Sequence, residues 1–126
     1  METKATLYDF GAGPVPAHRH ANGGGWVADT AFVGPDAYVG IGAQVYDEAR
    51  VSGQAQIYDQ AQIYDQAQIY SKALIYHQAQ IYGQARIHGD SQIYDEAQVF
   101  GKARISGKIR ISGAAQISGQ ARIENY

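Results

Sequence analysis

The sequence predicts an all-β solenoid in which short strands stack into parallel coils. A six-residue unit repeats sixteen times from Ala31 to Tyr126 without insertion or deletion, and so short a period is typical of a solenoid. Position one of the unit is Ala in fourteen repeats, and position three is Ile or Val in all sixteen. Position five is Gly, Asp, Asn or Ser in nearly every repeat, which indicates a turn.

The spacing within the unit predicts which side chains face the core. Positions one and three are two residues apart, so they point to the same side of an extended strand, and positions two and four point to the other side. We therefore expect Ala and Ile or Val to alternate along a narrow interior. Each unit is predicted to be a short strand followed by a corner.

The unit resembles the hexapeptide repeat of left-handed parallel β-helix proteins, in which an aliphatic residue, a Gly or acidic residue and a small residue recur as in Ile57–Gln62. The match covers about three quarters of the chain. The resemblance implies a left-handed helix of about five triangular coils, each of three hexads, so that residues 18 apart stack. One departure is position four, often small in the family but Tyr here in seven repeats.

The N-terminal segment differs in composition from the repeats. Residues 1–25 hold two of the three prolines and a run of glycines, whereas Trp26 and Val27 already fall in the repeat frame. We divide the chain into an N-terminal cap or arm (1–25) and a β-helix (26–126). Because an open solenoid end exposes core and backbone, we expect Leu7–Phe10 to cover the first coil.

Composition excludes several classes of function. Ten basic and twelve acidic residues give a formal charge of −2, so we expect neither a nucleic-acid polymer nor a membrane as partner. The chain has no cysteine, and no sequence pattern calls for a cofactor. The first residues contain no apolar run typical of a signal peptide or membrane span, which makes the cytoplasm the default expectation.

Stacking at 18 residues predicts a face of the helix that carries no charge. Glutamines at position two and aromatic residues at position four form neighbouring columns there, and we predict a subunit interface made of Gln44, Tyr46, Gln62, Tyr64, Gln80, Tyr82, Gln98 and Phe100. Aromatic residues are enriched and charges depleted at interface cores. The resemblance implies a homotrimer. The alternative is that the amides and rings stabilise only their own coils.

A second face is basic, with Arg50, Arg86, Arg104 and Arg122 in one column. A groove between subunits, lined by Tyr70, Arg86, His88 and Arg104, would suit an anionic, ring-bearing small molecule such as a nucleotide or acyl-CoA. Corner acids of a neighbouring subunit are the alternative source of neutralising charge.

Histidines are the candidates for chemistry. His18 and His20 are spaced to hold one metal ion, although no third ligand adjoins them and solvated loop histidines are the simpler interpretation. The acyltransferases of the resembled fold use a His as general base, and His88 is the one candidate here. His77 and His88 do not match the three-His zinc site of its carbonic anhydrases. The sequence thus favours a non-catalytic, self-associating structural or binding module.

Overall fold

A computed structural model of the protein describes residues 6–125, and three β-sheets account for its regular structure. No helix forms within that range. Sheet 1 contains a hairpin followed by six parallel strands: β1 (Leu7–Asp9), β2 (Pro14–Arg19), β3 (Trp26–Ala28), β6 (Gln44–Val45), β9 (Gln62–Ile63), β12 (Gln80–Ile81), β15 (Gln98–Val99) and β18 (Gln116–Ile117).

The other two sheets contain parallel strands alone. Sheet 2 contains β4 (Phe32–Val33), β7 (Arg50–Val51), β10 (Gln68–Ile69), β13 (Arg86–Ile87), β16 (Arg104–Gly107) and β19 (Arg122–Asn125). Sheet 3 contains β5 (Tyr38–Val39), β8 (Gln56–Ile57), β11 (Leu74–Ile75), β14 (Gln92–Ile93) and β17 (Arg110–Ile111).

The three sheets are the faces of a parallel β-solenoid of about six turns. From β3 onward, strands pair with the strand three later in the chain, and the register places residues 18 apart opposite one another, as in Gln62 with Gln80. Backbone N–H groups of one coil donate to carbonyls of the next, for example from Tyr64 to Ile81 at 3.0 Å. The sequence predicted about five coils, but β3, which precedes the first full hexad, already belongs to the stack.

The core is a column of alternating small and large side chains, which confirms the predicted inward positions. From Ala37 to Ile105, every Ala at position one and every Ile or Val at position three is at most 1% exposed. Ser91 replaces Ala in this column, and its hydroxyl donates to the carbonyl oxygen of His88 at 2.9 Å. This hydrogen bond removes the cost of burying a hydroxyl.

The corners have the predicted left-handed backbone. Position five has positive φ at glycines such as Gly53 and Gly83, and also at Ser71, His77 and four aspartates. The aspartates have a second role, because a carboxylate oxygen of each accepts from the N–H of the corner residue 18 later. The distances are 3.3 Å from Asp47 to Asp65, 3.1 Å from Asp59 to His77, 3.1 Å from Asp65 to Gly83 and 3.0 Å from Asp95 to Gly113.

The N-terminal hairpin extends sheet 1 and lies antiparallel to β3. Its apolar residues do not cover the first coil as expected: Leu7 is 57% exposed, and Tyr8 contacts the outward-facing Trp26. Ala17 and His20, both buried, pack at this end instead. The pairing registers place Ala17 on the same outward face of sheet 1 as Tyr8 and Ala28, so Ala17 is buried outside the solenoid core.

Overpacking the core tests the inward assignment. Ala67 and Ala85 are fully buried, so Ala67→Leu or Ala85→Leu should destabilise the protein by about 1–3 kcal/mol and lower its melting temperature by several degrees. Gln68→Leu, one residue from Ala67 but facing outward, is the matched control. Alanine variants that melt no lower than this control in calorimetry would contradict the assignment.

Candidate functional site

The outer face of sheet 1 brings together the residues predicted to form an interface. Gln44, Gln62, Gln80 and Gln98 lie in register on β6, β9, β12 and β15, and all four are partly buried. Two residues after each glutamine, Tyr46, Tyr64, Tyr82 and Phe100 form the neighbouring column and are also partly buried. We call these two columns the Gln/aromatic face, which contains no charged side chain.

The rings of this face stack continuously. Ring centroids are 4.9 Å apart between Tyr46 and Tyr64, between Tyr64 and Tyr82, and between Tyr82 and Phe100, with interplanar angles of 8° or less. The spacing is close to the strand separation of roughly 4.8 Å, so the sheet sets the stacking distance. The rings therefore form one rigid surface rather than separate side chains.

The hairpin adds a fifth ring to this column. Ala28 precedes Tyr46 by 18 residues and has no ring to place over it. Phe10 fills that space, with its centroid 4.8 Å from that of Tyr46. Beside it, the Gln44 amide donates to the Tyr8 hydroxyl at 3.0 Å. The sequence does not predict this contact, although the break in the aromatic column at Ala28 is visible in the repeat frame.

The amides of the face do not bond to one another along the axis. Within residues 6–125, amide–amide hydrogen bonds join Gln60 to Gln78 at 3.3 Å and Gln66 to Gln84 at 3.2 Å, both at position six of the repeat. The expected self-stabilising glutamine pairing thus occurs at two corners, and Gln62, Gln80 and Gln98 have no side-chain hydrogen bond in the described part of the chain.

Tyr46 and Tyr64 stay protonated at neutral pH. Burial, together with the nearby Tyr64, Asp47 and Asp65, raises the pKa of Tyr46 from 10.0 to about 12. Burial also raises the pKa of Tyr64, with contributions from Tyr82 and the same two aspartates. Phenolate charge is therefore disfavoured at Tyr46 and Tyr64.

Stacked rings also occur on the other two sheets. Tyr58, Tyr76 and Tyr94 stack on sheet 3, and Tyr70 stacks with His88 on sheet 2, with centroids 4.7 Å apart. Both of those sheets carry arginine at position two, whereas sheet 1 does not. Stacking is hence a general feature of the solenoid, and the absence of charge distinguishes the Gln/aromatic face.

The basic column lies on sheet 2. Arg86 and Arg104 are opposite one another on β13 and β16 and are exposed, beside the stacked Tyr70 and His88. In the part of the chain that the structure describes, the ion pairs are His18–Asp29 and His77–Asp95, and neither involves an arginine. These guanidinium groups have no carboxylate partner among residues 6–125.

The two histidines of the hairpin region are held by different partners. His18 bonds through Nδ1 to the Asp29 carboxylate at 2.7 Å on the surface. His20 is buried, and its Nε2 donates to the carbonyl oxygen of Ala37 at 2.7 Å. Among residues 6–125, no group of three or more His, Asp or Glu side chains is arranged to hold a metal ion.

Comparison with known proteins gives one result. Residues 43–59 match a family model described as the YdcK beta solenoid repeat. That segment, containing β6, β7 and β8, is therefore similar to a β-solenoid repeat, in agreement with the stacked coils. No curated protein and no solved structure gave a match. Within the described range, no helix has the length and apolar character needed to cross a membrane.

The raised pKa of Tyr46 predicts a loss of stability in alkali. Below pH 10 the phenol is protonated in both the folded and unfolded states; above it the unfolded chain ionises first, so stability falls until about pH 12. Tyr46→Phe should make this fall less steep. Thermal melts of both proteins between pH 8 and 11.5 measure the effect, and equal slopes would contradict it.

Proposed function

We propose that the protein is a non-catalytic, rigid structural or binding module that self-associates through the Gln/aromatic face. The residue composition of the Gln/aromatic face supports this proposal. Gln62, Gln80 and Gln98 provide amides without side-chain partners in the described chain, and rigid stacked rings flank them. Such a surface matches an interface core, where aromatic residues are enriched and charges are depleted.

The observation that carries the proposal is how the chain covers one end of this face itself. Phe10 stacks on Tyr46, and the Tyr8 hydroxyl accepts from Gln44. The Gln44 amide thus finds its partner in a hydroxyl from another segment, and Phe10 extends the ring column by one ring. Gln62 and Gln80 offer the same amide to another copy of the chain, and the stacked rings beside them offer their outer edges.

The homotrimer and the left-handed helix are finer proposals from the resemblance to hexapeptide-repeat proteins, which are commonly trimeric through flat faces. Three sheets of stacked two-residue strands suit a triangular cross-section. If the solenoid axes lie along the three-fold axis of such an assembly, each coil meets the same coil of its neighbours. A crystal structure of the assembly would establish hand and symmetry together.

A second candidate function is binding of an anionic, ring-bearing small molecule on sheet 2. The supporting observation is the arginine column, whose guanidinium groups lack carboxylate partners in residues 6–125. Arg86 and Arg104 would hold phosphate or carboxylate oxygens, and Tyr70 and His88 would contact the ring. An acyltransferase-like activity with His88 as general base is a weaker form of this proposal. The imidazole of His88 stacks on the Tyr70 ring, and within residues 6–125 no carboxylate bonds to His88 to orient it.

Charge placed on the Gln/aromatic face should dissociate the assembly. Gln62→Lys combined with Gln80→Lys would bury like charges in every subunit, and an unpaired buried charge costs about 3–5 kcal/mol. We expect light scattering to report a smaller mass for this variant than for the wild type. The matched control, Gln56→Lys with Gln92→Lys, occupies position two on sheet 3. Dissociation of the control alone would move the interface to that sheet.

Calorimetric titration distinguishes the two candidate functions. If sheet 2 is a ligand site, a nucleotide or CoA should bind at micromolar concentration, about −8 kcal/mol, and Arg86→Ala with Arg104→Ala should abolish the heat. The structural proposal predicts no heat with either anion. Retained binding in the double variant would exclude the arginine column as the site.

A further inference from the structure

A cleft of about 970 Å³ separates the N-terminal hairpin from a corner of the solenoid. The hairpin contributes one wall, from Phe10 to Gly13 together with Val15 and Pro16. The corners that follow β6 and β9 contribute the other, with Tyr46, Asp47, Glu48, Tyr64 and Asp65. The cleft is formed within a single chain, and it shares Tyr46 and Tyr64 with the Gln/aromatic face.

The hairpin wall is apolar and held in position. The Asp9 carboxylate accepts from the N–H of Gly11 at 2.7 Å and of Gly13 at 3.1 Å, which fixes the loop. Phe10 is anchored to the opposite wall by its stacking on Tyr46. The two walls are thus preformed, and a ligand would not have to order the loop on binding.

The solenoid wall is acidic. Asp47, Glu48 and Asp65 are exposed side chains that line the cleft, and no Lys, Arg or His is found among the described residues that do so. One carboxylate oxygen of Asp47 and one of Asp65 accept from the next corner's N–H, which orients both groups. The same two aspartates help to raise the pKa of Tyr46, in keeping with a negative potential at this wall.

We propose that this cleft binds an organic cation, in which an ammonium group is attached to an apolar ring or chain. The carboxylates of Asp47, Glu48 and Asp65 would hold the ammonium group. Phe10, Val15 and Pro16 would contact the apolar part, and the edges of the Tyr46 and Tyr64 rings would flank it. Charge complementarity and the apolar wall together select this class over anions, metal ions and neutral molecules.

The corner that follows sheet 3 provides an internal control. Asp59 and Asp95 have the same positive φ and the same hydrogen bond to the next coil as Asp47 and Asp65. Glu96 takes the place of Glu48 there, but no hairpin wall stands opposite, and His77 lies between the acids. If the acids served only to form corners, both sets would behave alike.

The test is calorimetric titration with benzylamine and benzyltrimethylammonium, in a buffer free of organic amines. Both cations should bind the wild type, and benzyl alcohol, the neutral counterpart, should not. Asp47→Asn with Asp65→Asn keeps an acceptor oxygen at each corner, so it should fold while weakening cation binding at least tenfold. Glu48→Gln removes a carboxylate that has no hydrogen bond within residues 6–125, and it should also weaken cation binding.

The control variant, Asp59→Asn with Asp95→Asn, should bind as tightly as the wild type. Three outcomes would overturn the proposal: no heat with either cation at millimolar concentration, equal binding of benzyl alcohol, or equal weakening by the two double variants. Thermal melts of all variants establish that each is folded. If the Asp47 and Asp65 double variant does not fold, unaltered affinity in Glu48→Gln would count against the site.

Discussion

The eighteen-residue coil is the constraint on which the rest of the structure depends. Because each coil contains three six-residue units, every residue lies opposite its equivalent in the next coil, as Gln80 lies opposite Gln98. The backbone hydrogen bonds between coils fix that separation at roughly 4.8 Å. Core packing, corner conformation and surface chemistry all follow, since any preference at one position is repeated along an entire column.

The same constraint decides whether identical side chains in a column attract or repel one another. Identical rings at this spacing attract one another, and Tyr64 and Tyr82 stack with planes 2° apart. Identical guanidinium groups repel, and the basic column of sheet 2 is interrupted by Gln68 between Arg50 and Arg86. On sheet 1 the rings contact one another along the axis, whereas their outer edges and the glutamine amides beyond the hairpin have no partner within the described chain. Such a surface favours lateral contacts, in keeping with the proposed assembly through sheet 1.

The sequence predicts the stack well because its signals are local and periodic. Ala67 and Ile69 are identified as core residues by spacing alone, and Asp59 and Gly83 as corners by their tolerance of positive φ. What it does not predict is the path of residues 6–25, which have no repeat. Their position is set by contacts with residues far along the chain, such as Phe10 on Tyr46. The cleft between the hairpin and the solenoid depends on that packing. The cross-coil role of Asp59 was missed because it needs three-dimensional register.

Spin-label distance measurements on the intact chain test assembly through sheet 1 most directly. The chain has no cysteine, so Ser118→Cys and Ser112→Cys each introduce one label, at exposed position-four sites on sheets 1 and 3. The account predicts a short intermolecular distance between labels at residue 118 and a longer one at residue 112. No dipolar coupling at residue 118, or a shorter distance at residue 112, would contradict it.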